Sequence, residues 1–338
     1  MSKLKTYLTG IKPTGDSHLG NYFGAIKPAI DFSKSGSSQE RFLYFIADYH
    51  ALTGVRDPKI FSEWVYSIAA TWLSLGLDPQ HVYFYRQSQI PEVFELNWLL
   101  ACMTPKGDMN RAHAYKSMVT INEEKQNPDI DAGINMGLYT YPILMAADIL
   151  LFDTNVVPVG KDQVQHVEIT RSIAQRINEY FGSDTLVEPK EYLSGSGSYV
   201  PGLDGRKMSK SYQNGVMIFE EENKLRKLIN RIKTDSLDQS IPKDPDQSLL
   251  MDFYKLVASP TEIADLSKRY NQGIGWGEVK AILFEAMNDH FKEARMRYQD
   301  LMKNKDYIDQ VLNEGAEKAR EIAIPVLQRV RLAMTGRN

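Results

Sequence analysis

The sequence predicts an α/β protein in which a parallel sheet carries an inserted helical segment and is followed by an all-helical C-terminal domain. Three observations point there. Short β-rich runs alternate with helical ones up to about residue 205, the rhythm becomes looser and more helical over residues 91–150, and nearly everything after Ser211 has helical periodicity. The expected division is therefore 1–204 and 205–338, with the insertion lying between two halves of the sheet.

Each element follows in turn. A strand at Lys5–Gly10 runs into a helix from about Leu19, and a second strand, Phe42–Ala47, precedes a helix from Asp57 to about Leu75. Leu75-Gly76-Leu77-Asp78-Pro79 stops that helix and turns the chain into a third strand, Val82–Tyr85. Inside the insertion, Met118–Asp131 is polar and ends Gln126-Asn127-Pro128-Asp129, which reads as a mobile surface loop. Pro142 suits the first turn of a helix, which puts Tyr141, Met145 and Asp148 at i, i+4 and i+7 along one stripe. Asn155–Val159 is a further strand, followed by a turn at Gly160 and a helix beginning near Asp162. The C-terminal helices are expected at Phe219–Lys233, Ser248–Ala258, Thr261–Tyr270, Gly277–Asn304 and Ile308–Ala333.

Composition narrows the function. With 338 residues and a formal charge of −3, the chain does not hold nucleic acid by bulk positive charge, and no DNA partner is expected. A single cysteine, Cys102, permits no internal disulfide and no thiolate zinc site. No apolar run reaches the ~20 residues of a membrane helix, and the N-terminus lacks a signal-peptide core, so a cytoplasmic protein without a membrane partner is expected.

Two segments carry phosphate chemistry. Gly10, Gly15, Gly20 and Gly24 flank the first strand-to-helix turn, where free N–H groups and a positive dipole end suit phosphates; an ordinary tight connection would look the same. The Gly-Lys-Ser/Thr ending of a Walker loop is missing. Lys207-Met208-Ser209-Lys210-Ser211 could bring two ammonium groups to a polyphosphate, or be a basic solvated turn. Lys224–Lys233 holds five cations and no anion, readable as a solvated helix face or an RNA-facing one.

The Tyr141–Met145–Asp148 stripe could be core, yet a carboxylate among Met145, Ile149 and Leu151 is costly without a donor. An indole N–H is such a donor, and a nearby Arg or a helix end is the structural alternative. Asp162 could be an N-cap. His50 ends the second apolar strand, where open α/β sheets place ligands, and could equally be a hydrogen-bonded structural histidine.

His18-Leu19-Gly20-Asn21 resembles the HIGH signature, and residues 207–211 match the KMSKS signature, of class I aminoacyl-tRNA synthetases. Tyr141–Leu151, Val157–His166 and Gly315–Ala319 resemble the tryptophanyl-tRNA synthetase versions, so the similarity spans the whole chain. The resemblance implies a Rossmann-like catalytic domain, a helical anticodon-binding domain, and activation of L-tryptophan by ATP with Mg2+ before transfer to tRNA(Trp). It implies a homodimer built on the insertion, where Phe94, Leu96, Trp98, Leu99, Leu100 and Met103 exceed what a surface connection needs.

For the nucleotide, the resemblance implicates Lys12, Pro13, Thr14, His18, Gly20, Asn21, Gly160, Lys161, Asp162, Val200, Lys207, Met208, Ser209, Lys210 and Ser211. Lys207, Lys210, Asp162 and Lys116 are the catalytic candidates. Tyr141, Met145, Asp148, Gln163, Val157, Val159 and His50 are the candidates for tryptophan. Family members often carry Gln at the position of Lys12 and an acid at that of Lys161. A tyrosyl-tRNA synthetase, and a non-catalytic relative that binds RNA or protein, are the competing readings.

Overall fold

The computed structural model describes residues 4–193 and 200–337. Five parallel strands form one sheet: β1 (Lys5–Ile11), β2 (Glu40–Ile46), β3 (Val82–Arg86), β4 (Val156–Val159) and β5 (Lys190–Leu193), ordered β3-β2-β1-β4-β5. Alternate side chains serve opposite faces. Tyr7, Phe42, Tyr44 and Phe84 enter one apolar cluster, with Ile68, Trp72 and much of the C-terminal helical region; Leu8, Leu43, Phe45 and Tyr85 enter the other, with Leu96, Leu100, Ile143 and Val167. Burial on both faces explains why β2 reads as an unbroken apolar run.

The chain leaves β1 through a Gly-rich turn into three contiguous helical segments: Leu19–Asn21, a π turn at Tyr22–Ile26, and Lys27–Lys34. Pro58–Ser74 connects β2 to β3, started by the Asp57 side chain, which accepts from the amides of Lys59 and Ile60. Between β3 and β4 lie helices Glu92–Met103, Lys106–Asn110, His113–Glu124 and Met136–Leu150, and Val164–Phe181 connects β4 to β5. The later helices are Glu222–Asn230, Leu249–Val257, Pro260–Gln272, Trp276–Lys303 and Lys305–Thr335. Among the described residues no strand follows β5.

Four local expectations are corrected. Of the expected loop Met118–Asp131, residues Met118–Glu124 are helical, within His113–Glu124, and the buried Asn122 amide donates to the carbonyls of Ile130 and Ala132, tying the following turn to the helix. Pro142 lies inside its helix, because Asn135 caps the start six residues earlier by accepting from the Leu138 amide. Asp162 caps nothing: it sits in a 3-10 turn, Lys161–Gln163, ahead of the Val164–Phe181 helix. Strand β5, short and mostly exposed at the sheet edge, carries no apolar pattern that sequence could show. Leu96 and Leu100 belong to the core, whereas Trp98 stands 69% exposed on the same helix.

Candidate active site

The sheet order reverses between β1 and β4, and a cavity of about 530 Å³ opens at their carboxyl ends, the switch point where such sheets bind ligands. Gly10 at the end of β1, Val157 to Gly160 at the end of β4, and the face of the Met136–Leu150 helix form its walls. Tyr141, Met145, Asp148, Gln163, Val157, Val159 and His50, the seven residues assigned to the amino acid, all line it, as do Lys12 and Gly160. The one-stripe spacing on the helix survives the shifted start, since i, i+4 and i+7 share a face wherever the helix begins. Sequence reasoning passed over Thr9, Phe45, Thr53 and Leu138, which also line it; their apolar or small side chains carry no distinctive pattern.

Asp148 is 2% exposed, and its donors are neither an Arg nor a helix end. Gln87 Nε2 lies 2.9 Å from both carboxylate oxygens, and His50 Nε2 lies 2.9 Å from Oδ2. Burial pushes the Asp148 carboxyl above its usual range, while His50 and Gln87 work against that shift. An ionised carboxylate has about four acceptor sites. Three contacts from within the protein leave room for one further donor from the cavity. Gln87, fully buried just past β3, is a site residue that sequence reasoning missed; only proximity in the fold reveals it.

The two signature segments lie against each other outside this cavity. His18 caps the Leu19–Asn21 turn reciprocally: its Nδ1 accepts from the Asn21 amide, and its own amide donates to Asn21 Oδ1. A Cβ on Gly20 would stand 2.9 Å from the His18 ring, so glycine is needed there. The Gly20 amide points at Met208 Sδ, 3.4 Å away, and Met208 is 4% exposed, an apolar peg that seats the second segment on the first. The Met208 amide in turn donates to the Val200 carbonyl at 3.0 Å. Lys210 Nζ donates to the Thr14 carbonyl at 2.9 Å. Desolvation lowers the Lys210 ammonium below the usual lysine range, with Asp16 opposing, and burial together with the Lys210 charge keeps His18 neutral-leaning.

The segment is latched by Asn214, 4% exposed, whose Oδ1 accepts from the Ser209 amide and whose Nδ2 donates to Asp204 and to the Lys207 carbonyl. Ser209 and Ser211 pair through their hydroxyls at 2.8 Å, and the Lys207 side chain is exposed. Lys12 reaches from the cavity mouth to Thr53 Oγ1 at 3.0 Å, and desolvation lowers its ammonium as well. Pro13 is buried in the turn, and Thr14 is exposed apart from its carbonyl bond to Lys210. Lys161 and Asp162 are exposed in the turn after β4, outside the cavity lining. Lys116 is exposed on the His113–Glu124 helix, which gives Ala114 rather than Lys116 to the wall.

An apolar slot ending in a buried carboxylate, next to two glycine- and lysine-bearing segments, suits a flat heteroaromatic with one N–H and a polyphosphate beside it. The comparisons agree with that geometry. Residues 3–292 match the family of class I tRNA synthetases (W and Y), and the chain belongs to that family. It is 46% identical to the tryptophan–tRNA ligase of Neisseria meningitidis over 334 residues, covering 99% of this chain and 98% of that one. It is 49% identical to the tryptophan–tRNA ligase of Pseudomonas aeruginosa, covering 97% of this chain and 73% of the relative. The crystal structure of the Campylobacter jejuni tryptophanyl-tRNA synthetase, complexed with ADP and tryptophan, superposes with a TM-score of 0.88 at 42% identity, covering 96% of this chain and 98% of that one.

Proposed function

We infer that this chain is a tryptophan–tRNA ligase: it joins L-tryptophan to ATP as tryptophanyl-adenylate, releases pyrophosphate, and passes the aminoacyl group to the terminal ribose of tRNA(Trp). The observation that carries the reading is the Asp148 carboxylate, buried in the wall of a largely apolar cavity with an acceptor site to spare. A ligand that donates satisfies it as it stands. An indole N–H donates only; a phenol hydroxyl does both.

The reaction needs no side-chain nucleophile. The tryptophan carboxylate attacks the α-phosphorus, the bond to the bridging oxygen breaks, and pyrophosphate leaves with the electron pair; positioning and charge lower the barrier. In this reading Tyr141, Met145, Val157 and Val159 sandwich the indole, Asp148 accepts its N–H, and Gln163 faces the amino-acid end. The His18–Asn21 turn holds the nucleotide with Pro13, Thr14, Gly160 and Val200 around it, while Lys207, Ser209, Lys210 and Ser211 close over the phosphates on the hinge that Met208 seats. Mg2+ arrives as part of the nucleotide substrate, held mainly by phosphate oxygens and water. Lys12, Lys161, Asp162 and Lys116 are assigned to the ribose and α-phosphate. Residues 205–338, carrying the helical region, would meet the anticodon of tRNA(Trp), and the enzyme would work in the cytoplasm; among the described residues no helix is long and apolar enough to cross a membrane.

Tryptophan is expected to drive ATP–pyrophosphate exchange and tyrosine is not; equal exchange with tyrosine at matched concentration would reject the specificity. Asp148→Ala should weaken tryptophan binding by roughly 1.5–3 kcal/mol, the worth of a hydrogen bond to a charged group. Calorimetric titration of the folded variant measures this, and unchanged affinity would leave Asp148 only its structural bonds to His50 and Gln87.

The chain is proposed to act as a homodimer. Trp98 at 69% exposed, with Met136 at 69% and the half-exposed Leu52 and Tyr49, is more apolar surface than solvent favours. Sedimentation at micromolar concentration should give about twice the 38.5 kDa chain mass, and the single-chain mass would contradict the dimer.

A further inference from the structure

Between the sheet and the last helices lies a second, polar cavity of about 130 Å³, lined by none of the residues assigned to either substrate. Asp16 and Ser17 reach it from the turn before His18, Ser67 from the Pro58–Ser74 helix, Glu220 from the chain beyond residues 207–211, and Tyr298 from the Trp276–Lys303 helix. Ser67 Oγ lies 3.1 Å from Asp16 Oδ1 and 3.0 Å from the Tyr298 hydroxyl. The Tyr298 ring stacks on Phe219 with centroids 4.5 Å apart.

Donor counting gives this relay one direction. A carboxylate only accepts, so the single Ser67 proton goes to Asp16, and Ser67 Oγ accepts from Tyr298. Burial raises the Tyr298 phenol above its usual range, which keeps that proton in place. At the other end, Lys210 Nζ donates to the Thr14 carbonyl at 2.9 Å, two residues from Asp16. Gly15 stands between them at φ +97°, and a Cβ on it would lie 3.6 Å from Lys210 Nζ. A glycine in that left-handed conformation gives the turn little stiffness of its own. The turn is held instead from its flanks. On one side Asp16 takes the Ser67 bond; on the other the Leu19 amide donates to the Val216 carbonyl at 2.9 Å, and the Ile218 amide to the Ser17 carbonyl at 3.0 Å. The Asp16 charge also opposes the desolvation of the Lys210 ammonium.

We propose that Asp16 is a positioning residue for Lys210: anchored through Ser67 to Tyr298, it fixes the turn that carries the Thr14 carbonyl, and so the place from which the Lys210 ammonium acts on the departing pyrophosphate. The relay makes the seating of the Trp276–Lys303 helix count at the phosphates. The cavity leaves these side chains room to move once a bond is gone, which a closely packed joint would not. The proposal rests on the reading of this chain as a tryptophan–tRNA ligase.

Rapid-quench measurement of adenylate formation, at saturating tryptophan and ATP, is the test. Asp16→Ala is expected to slow the step about 10- to 30-fold, near the lower end of what a hydrogen bond to a charged group is worth. Tryptophan affinity, by calorimetric titration, should stay within about twofold of the unaltered protein's, since the relay does not reach the amino-acid cavity. Asp16→Asn, whose amide oxygen still accepts from Ser67, should recover part of the loss. Tyr298→Phe keeps the ring on Phe219 and removes only the hydroxyl, and it should slow the step about 3- to 10-fold. In a Lys210→Ala background neither Asp16→Ala nor Tyr298→Phe should slow the step further, because the group they position is gone; a merely structural role would cost as much there as in the unaltered protein. An unchanged rate in Asp16→Ala, or a loss that repeats in full in the Lys210→Ala background, would overturn the role of Asp16 and leave the ligase reading standing. An unchanged rate in Tyr298→Phe would overturn the relay. Failure of the unaltered protein to form tryptophanyl-adenylate would overturn both the proposal and the ligase reading.

Discussion

Replacing Lys210 by Ala is expected to slow tryptophanyl-adenylate formation about 10²- to 10³-fold while leaving tryptophan affinity within about twofold. Lys210 lies outside the cavity and bonds to the Thr14 carbonyl, so it takes no part in holding the indole. Its ammonium is partly desolvated and lies near the Asp16 charge and the Thr14 carbonyl. A cation held this way gains most when negative charge moves onto the departing pyrophosphate, which is a transition-state effect rather than a ground-state one. Rapid-quench kinetics with saturating tryptophan and ATP separate the adenylation step from binding. An unaltered adenylation rate would make the 207–211 segment a bystander. Met208→Ala makes a graded companion, because it removes the peg that seats the segment on Gly20 without removing charge.

The sheet and the long helices were legible because their causes are local. β2 is buried on both faces and reads as an apolar run, and the last four helices repeat with a 3.6-residue period over many turns. The cavity lining was legible through strings such as Tyr141–Leu151, where spacing on one helix face is written directly in the sequence. What sequence did not show depends on distant partners. Asp148 meets Gln87 across a separation of 61 residues and His50 across 98, and no periodicity announces either. The misplaced start of the Met136–Leu150 helix has a simpler cause: proline is commonest in a first turn, and here the Asn135 cap outweighed that preference. Lys116, a motif match, stands exposed on its helix, and Ala114 of the same helix lines the cavity.

Gly315→Ala is expected to destabilise the protein by about 1–3 kcal/mol or more, the usual cost of forcing an extra carbon into packed structure. Gly315 lies inside the Lys305–Thr335 helix, where Ala would otherwise be favoured over Gly by about 1 kcal/mol. The contact reverses that sign. A Cβ on Gly315 would fall 1.9 Å from the Phe84 carbonyl oxygen and 2.9 Å from the Phe84 nitrogen, both backbone atoms of β3. Backbone cannot rotate away as a side chain can, so the helix itself must move. β3 is an edge strand, and this helix covers it, which protects an edge that would otherwise invite pairing with another chain. Gly277→Ala is the matched control, since it too lies in a helix and nothing stands within 4 Å of its added carbon. Thermal unfolding followed by circular dichroism should show the Gly315 variant melting lower and the Gly277 variant unchanged or higher. A Gly315 variant that melts higher would mean that helix and strand are not in contact. Gln87 directly follows β3 and holds both oxygens of Asp148, so a helix pushed off this strand should also loosen tryptophan binding.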